Sequence, residues 1–264
     1  MASHTLTARN WATSSENRIH DDEVAQRYGF RGGLVPGVTL FAYLVPAIVA
    51  DQGEPWLEGG FVDVRFTAPV YEGGVVTAAC DGGVVELRDH EGTTCVSGTA
   101  WRARGGLLDR VLRPGPLPDD RPAASEDTLA IGTMLGSIER EATVDAVGRY
   151  LEAIGDDAAW WRDRDLVHPG WLLLDANNVL ARNVRLGPWI HTASRVRLLR
   201  PVPLGAALET RAEVVDAYDR KGHRFVELDV VTLVRATPDA GERGVAAMVV
   251  RHTAIWQPRR APLA

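Results

Sequence analysis

From Val38 to Val49 nearly every position is apolar, whereas residues 60–70 alternate apolar and polar with a period of two. The first pattern predicts a helix buried almost all round, and the second a half-buried strand. The helix should run from about Pro36 to Gln52. Gly32 and Gly33 allow a tight turn before it, and Pro36 suits a first helical turn, where its missing N–H costs nothing. Pro46 predicts a kink or an early end. Residues 5–13 alternate weakly and suggest a first strand. Strands over about 74–88 and 92–104 flank Asp89-His90-Glu91-Gly92, a hairpin turn by composition.

The pattern then restarts. Residues 105–127 carry four prolines and several charges, which marks a linker. Residues 129–140 read as a strand, and Val144, Val147, Leu151 and Ile154 fall at helical spacing. His168-Pro169-Gly170 opens a second apolar helix reaching about Val184. Strands follow near 189–201, 206–218, 223–236 and 244–256. Three features recur in order at nearly one offset. Pro36-Gly37 answers Pro169-Gly170 at 133, Arg65-x-x-x-Pro69-Val70-x-x-Gly73 answers the pattern from Arg197 to Gly205 at 132, and Asp89–Gly92 answers Asp219–Gly222 at 130. This is a tandem duplication. The expected division is 1–104, a linker over 105–127, and 128–264, each unit of α+β class with one helix and an antiparallel meander.

Composition narrows the function. Of the 264 residues 45% are apolar, enough for a sizeable core, and the net charge of −6 with no basic run beyond Arg259-Arg260 argues against nucleic acid. Arginine outnumbers lysine 28 to one, and the single Lys221 falls in a predicted turn, which argues against Schiff-base or phosphate-loop lysine chemistry. The longest apolar run, the 17 residues from Leu34 to Ala50, is broken by prolines and too short for a membrane span. The first residues, MASHTLTARNW, lack the apolar core of a secretion signal, so Cys80 and Cys95 are expected as reduced thiols of a cytoplasmic protein. No CxxC, HExxH, GxSxG, P-loop or GxGxxG pattern occurs, and no metal site or bound cofactor is expected.

The candidate chemistry lies just before the first helix, in Asn17-Arg18-Ile19-His20 and the Gly-rich entry Gly32-Gly33-Leu34-Val35-Pro36-Gly37-Val38. This stretch resembles the hydratase motif of the MaoC-like, (R)-specific enoyl-CoA hydratases. Asn17, Ile19 and His20 match, Ala25 falls one residue before the motif's small position, Arg18 replaces a proline, and Ser15 stands where the family has its catalytic Asp. The resemblance implies two tandem hot-dog units, each a curved antiparallel sheet wrapped around a long central helix. It also implies an acyl-thioester substrate, with CoA or an acyl carrier as part of that substrate. It makes His20 the acid/base, Asn17 its partner, and the surroundings of Ser15, Val35, Gly37 and Val38 the binding site, with free helix N–H groups for a developing oxyanion. A homodimer of such chains is compatible with the fold.

The missing carboxylate has candidates in Glu16, Asp21, Asp22 and, in the second half, Asp156. Gly155-Asp156 follows Tyr150-Leu151-Glu152-Ala153-Ile154, which resembles the start of the same motif, with Ala158 and Trp161 at its Asn and His positions. His168 is a candidate for a second pocket, and His191 reads as a strand residue. Trp160, Trp161, Trp171 and Trp189 suit either core or pocket lining, and Asn177, Asn178 and Asn183 are unusual in an apolar helix. The expected reaction is reversible hydration of a 2-enoyl thioester. The rivals are a thioesterase on the same fold and a non-catalytic acyl or small-molecule binder.

Overall fold

The computed structural model describes residues 1–103, 112–235 and 244–259. Their strands form one ten-stranded sheet. The first half contributes β1 (Ala2–Thr7), β2 (Gly60–Phe66), β3 (Val75–Asp81), β4 (Val84–Asp89) and β5 (Thr94–Arg102). The second contributes β6 (Met134–Glu141), β7 (Ile190–Leu198), β8 (Ala207–Arg220), β9 (His223–Val234) and β10 (Val245–Gln257). The order β1-β3-β4-β5-β2-β7-β10-β9-β8-β6 places the halves side by side. They join through antiparallel pairing of β2 with β7, from Phe61 opposite Arg197 to Arg65 opposite Ala193.

Among the described residues five α-helices accompany the sheet: α1 (Asp22–Gln26), α2 (Gly37–Gln52), α3 (Val144–Ile154), α4 (Ala158–Asp163) and α5 (Pro169–Asn183). The long helices α2 and α5 occupy corresponding places in the two halves and pack on each other. A Cβ at Gly170 of α5 would stand 2.7 Å from the Ala42 Cβ of α2. Both are buried over most of their length, as their apolar sequences require. The amphipathic α3 instead keeps one buried stripe, Val147, Tyr150, Leu151 and Ile154. The Thr143 hydroxyl caps its start, and Gly155 closes it at a φ of 75°.

Three local expectations change. Residues 74–88 are not one strand: Gly82 and Gly83 both take positive φ and fold them into the β3–β4 hairpin. Pro46 lies within α2 without ending it, because packing under the sheet outweighs one lost backbone hydrogen bond. The first strand ends at Thr7 rather than reaching residue 13. The Asp219–Gly222 turn forms as read, with Lys221 and Gly222 both at positive φ. The described part of the Pro-rich segment, residues 112–127, contains no helix or extended strand.

A buried polar network ties α5 to the sheet. The Asp175 carboxylate, 1% exposed, accepts from Arg140 Nε at 2.8 Å, Thr210 Oγ1 at 3.2 Å and Asn178 Nδ2 at 3.1 Å. Arg140 also donates to the Trp171 carbonyl and lies 3.2 Å above the Trp171 ring.

Candidate active site

Local sequence explains how His20 is held. Asn17 caps the short 3₁₀ turn Arg18–His20, with its Oδ1 accepting from the Ile19 N–H at 3.3 Å. The same carboxamide reaches into the other half, where it accepts from Trp189 N at 3.1 Å and donates to the Trp189 carbonyl at 3.0 Å. The His20 carbonyl accepts from Asn10 Nδ2 at 2.9 Å. Gly33 must be glycine, because a Cβ there would lie 2.1 Å from the His20 carbonyl oxygen.

The imidazole itself is oriented by Leu34, whose carbonyl stands 2.6 Å from His20 Nδ1. A carbonyl only accepts, so Nδ1 carries the proton and Nε2 keeps its lone pair. Asn17 Nδ2 donates to Nε2 across a long 3.3 Å. Burial lowers the His20 pKa, against a smaller opposing effect of the Leu34 hydrogen bond, and so favours the neutral ring.

Two cavities meet at this ring. One, of about 260 Å³, is mainly apolar, with Phe30, Leu34, Leu40, Phe66, Val70 and Ile255 among its walls. The other, of about 620 Å³, is more polar, with Glu16, Arg121, Asn178 and Arg182 on it. Asn17, His20, Pro36, Asn177 and Trp189 border both and form the partition between them. The first turn of α2 lies in the same partition: Gly37 borders the apolar chamber and Val38 the polar one. Among the described residues the N–H groups of Gly37 and Val38 meet no acceptor. They are the free donors that a helix start leaves.

The predicted site residues separate on this geometry. His20, Asn17, Gly37 and Val38 come together. Val35 lines the apolar chamber, but its N–H is bound to the Val70 carbonyl at 2.8 Å, so it is not a free oxyanion donor. Ser15 borders only the polar chamber and donates to the Asn17 carbonyl at 3.2 Å.

Asp156 belongs elsewhere and borders neither chamber. It accepts from Trp161 Nε1 at 3.0 Å and lies 3.3 Å from His168 Nε2. His168 is wholly buried and caps α5, its Nδ1 accepting from the Gly170 N–H at 2.8 Å. Burial works to raise the Asp156 pKa, but His168 and the neighbouring N–H donors outweigh it and hold the carboxyl low. His168 is fully buried and Asp156 partly exposed, so this Asp–His pair stands apart from both chambers, beside Trp161.

The remaining carboxylates are also engaged. Asp21 caps α1 and pairs with Arg18 at 2.7 Å, and Asp22 accepts from the Gly33 N–H at 2.7 Å. Among the described residues Glu16 is the one acid bordering either chamber, and it is paired with Arg121 at 2.8 Å.

Two further contributors border the chambers. His191 lies in β7, as read, and its ring also lies in the apolar chamber's wall beside Gly37, where a Cβ would come within 2.8 Å of His191 Nδ1. Burial first, and the adjacent His252 second, push the His191 pKa well below the ordinary value. Burial likewise lowers His252 to about 3. These rings are therefore neutral wall groups. Arg121 enters the polar chamber from the Pro-rich segment, and no local pattern marks that approach.

Neither protein-family models nor curated protein sequences match the chain. Solved structures do. Rv0216 of Mycobacterium tuberculosis, described as having a double hotdog fold, is similar with a TM-score of 0.66 at 14% identity, covering 97% of this chain and 96% of its own. A MaoC-domain protein of Chloroflexus aurantiacus assigned as a dehydratase gives 0.57 at 13% identity, over 98% and 94%. A Lactobacillus plantarum protein assigned as an oleoyl thioesterase gives 0.52 at 13%, over 98% and 96%. At such identities the likeness establishes the double hot-dog fold, and activity has to be argued from the site.

Proposed function

We propose that this protein is a double hot-dog hydratase/dehydratase of acyl thioesters, adding water reversibly across the C2=C3 bond of a 2-enoyl chain on CoA or an acyl carrier. The observation that carries this reading is the unprotonated Nε2 of His20 set in the partition between an apolar and a polar chamber, beside two free helix N–H groups. The acyl chain occupies the apolar chamber and the carrier arm the polar one, so the thioester falls at His20. Water displaces the long Asn17 contact at Nε2 and gives that nitrogen a proton as its oxygen bonds to C3. The C2=C3 electrons move onto the thioester oxygen, and the Gly37 and Val38 N–H groups hold the enolate. The proton on Nε2 then passes to C2, which completes the addition of one water and restores the ring.

The fold likeness to dehydratase- and thioesterase-assigned proteins is consistent with a thioester substrate. Hydrolysis would need an activated water at the thioester carbon, and the one chamber carboxylate, Glu16, is held by Arg121 with its pKa lowered chiefly by that hydrogen bond. The deciding experiment is mass spectrometry of the protein incubated with saturated, 2-enoyl and 3-hydroxyacyl-CoAs. Gain or loss of one water on the last two classes is expected. Release of free CoA would instead make the protein a thioesterase.

The site also predicts a pH profile. Protonation of Nε2 removes the base, and burial holds the His20 pKa below its ordinary 6.5. The kcat/KM for hydration should therefore stay flat as pH falls past 6.5 and decline only at a lower pH. A rate that rises as pH drops through that value would contradict the assigned protonation state.

A further inference from the structure

The three asparagines of α5 have different circumstances. Asn178 Nδ2 donates to Asp175 Oδ1 at 3.1 Å. Asn183 is doubly paired with the Gly136 backbone, at 2.6 and 2.9 Å, and donates to the Val179 carbonyl at 2.7 Å. Asn177 has no hydrogen bond to the described residues, and its Oδ1 is buried without a partner. An unpaired buried carbonyl costs about 1–3 kcal/mol, so on stability grounds alone a leucine would serve better in this apolar helix. Yet Asn177 borders both chambers, in the partition that holds His20 and the first turn of α2. The other carboxamide there, Asn17, is fully engaged by Trp189, Ile19 and His20.

We propose that Asn177 is a catalytic residue supplied by the second hot-dog unit, its carboxamide donating to the thioester oxygen alongside the Gly37 and Val38 N–H groups. This rests on the thioester reading of the site and deepens it. The Asn177 Nδ2 donor finds no acceptor among the described residues and stands beside an unprotonated imidazole and a free helix start, so it acquires an acceptor with the ligand. Neither end of the carboxamide is fastened, so it can turn its N–H₂ toward an oxygen that becomes an enolate. Donors would then approach that oxygen from both units, and neither half would be competent alone. Two further residues follow in the ordering of the site. Asp175 and Asn183, on either side of Asn177 along α5, are both anchored to the second half of the sheet, which fixes the position of α5 and hence of the carboxamide.

The test compares full-length wild type with Asn177→Ala and Asn177→Asp on 2-enoyl-CoA substrates, reading kcat, KM and Tm. Loss of one oxyanion donor typically lowers kcat by about 10²–10³-fold, and that fall is expected in both variants with KM little changed. The Tm of Asn177→Ala should be unchanged or higher, because no protein hydrogen bond is lost. A kcat within about threefold of wild type in both variants would overturn the inference while leaving the thioester reading standing. A fall in kcat matched by loss of Tm in both variants would assign Asn177 a structural role and overturn it as well. A wild type that neither binds nor converts any of the thioesters would remove the reading and the inference together.

Discussion

Replacing His20 with alanine is expected to lower kcat/KM for enoyl-thioester hydration by about 10²–10⁴-fold, the usual worth of a positioned acid/base. The effect is large because, among the described residues, no other titratable side chain borders both chambers. Asn17 does not titrate, Asp156 is away with His168, and Asp21 and Asp22 serve the backbone of the motif loop. Glu16, the one acid bordering the chambers among the described residues, is tied to Arg121. Stability should change little by comparison. The variant loses the Nδ1 bond to the Leu34 carbonyl, a neutral hydrogen bond worth about 1 kcal/mol. Steady-state kinetics, with calorimetric Tm as the control for folding, measure both effects. Activity within a few-fold of wild type would transfer the proton work to another residue.

The second large effect concerns stability. Arg140→Met should cost about 3–5 kcal/mol, the range for stranding one partner of a buried ion pair. Asp175 is almost fully buried, and Thr210 and Asn178 give it hydrogen bonds but no compensating charge. Burial already raises the Asp175 pKa, with Arg140 opposing it, so the variant's carboxyl will be raised further. The sign of the pH dependence follows. A carboxyl raised in the folded state binds more protons there than in the unfolded chain, so stability is lost as pH climbs above the unfolded value near 3.8. The deficit of Arg140→Met should therefore be smaller in mild acid than at neutral pH. Urea unfolding at two pH values measures this, and Arg140→Met with Asp175→Leu should recover much of the loss. An undiminished deficit in acid would mean that lost packing on Trp171, not charge, dominates.

The sequence carried the architecture because duplication repeats its punctuation. Pro-Gly at both helix starts and the Arg-to-Gly strand pattern mark equivalent places in two units, and period-two and all-apolar runs distinguish strands from buried helices. Asp81-Gly82-Gly83 is a hairpin signal in the sequence, and reading the apolar runs on either side of it as one strand passes over it. The site was partly readable for a similar reason. Asn17, His20, Gly37 and Val38 come from one short stretch with local geometry. Asp156 carried the right neighbours in sequence, but its distance from the first motif depends on how the halves pack, and it pairs with His168 and Trp161 away from both chambers. Asn177 reaches the partition from α5, and Arg121 the polar chamber from the Pro-rich segment, through tertiary contacts that no spacing encodes. Val35 lines the apolar chamber, but its N–H satisfies the Val70 carbonyl across the motif loop and is not free to donate.

The position of a bound thioester is the most direct test of the proposed chemistry. A crystal structure with a non-hydrolysable 2-enoyl-CoA analogue should place the acyl chain in the chamber walled by Phe66 and Ile255 and the carrier arm in the chamber of Arg121 and Arg182. Its carbonyl oxygen should meet the Gly37 and Val38 N–H groups, with C3 facing His20 Nε2 across room for one water. An analogue bound outside both chambers, or with its carbonyl turned away from His20, would contradict the account.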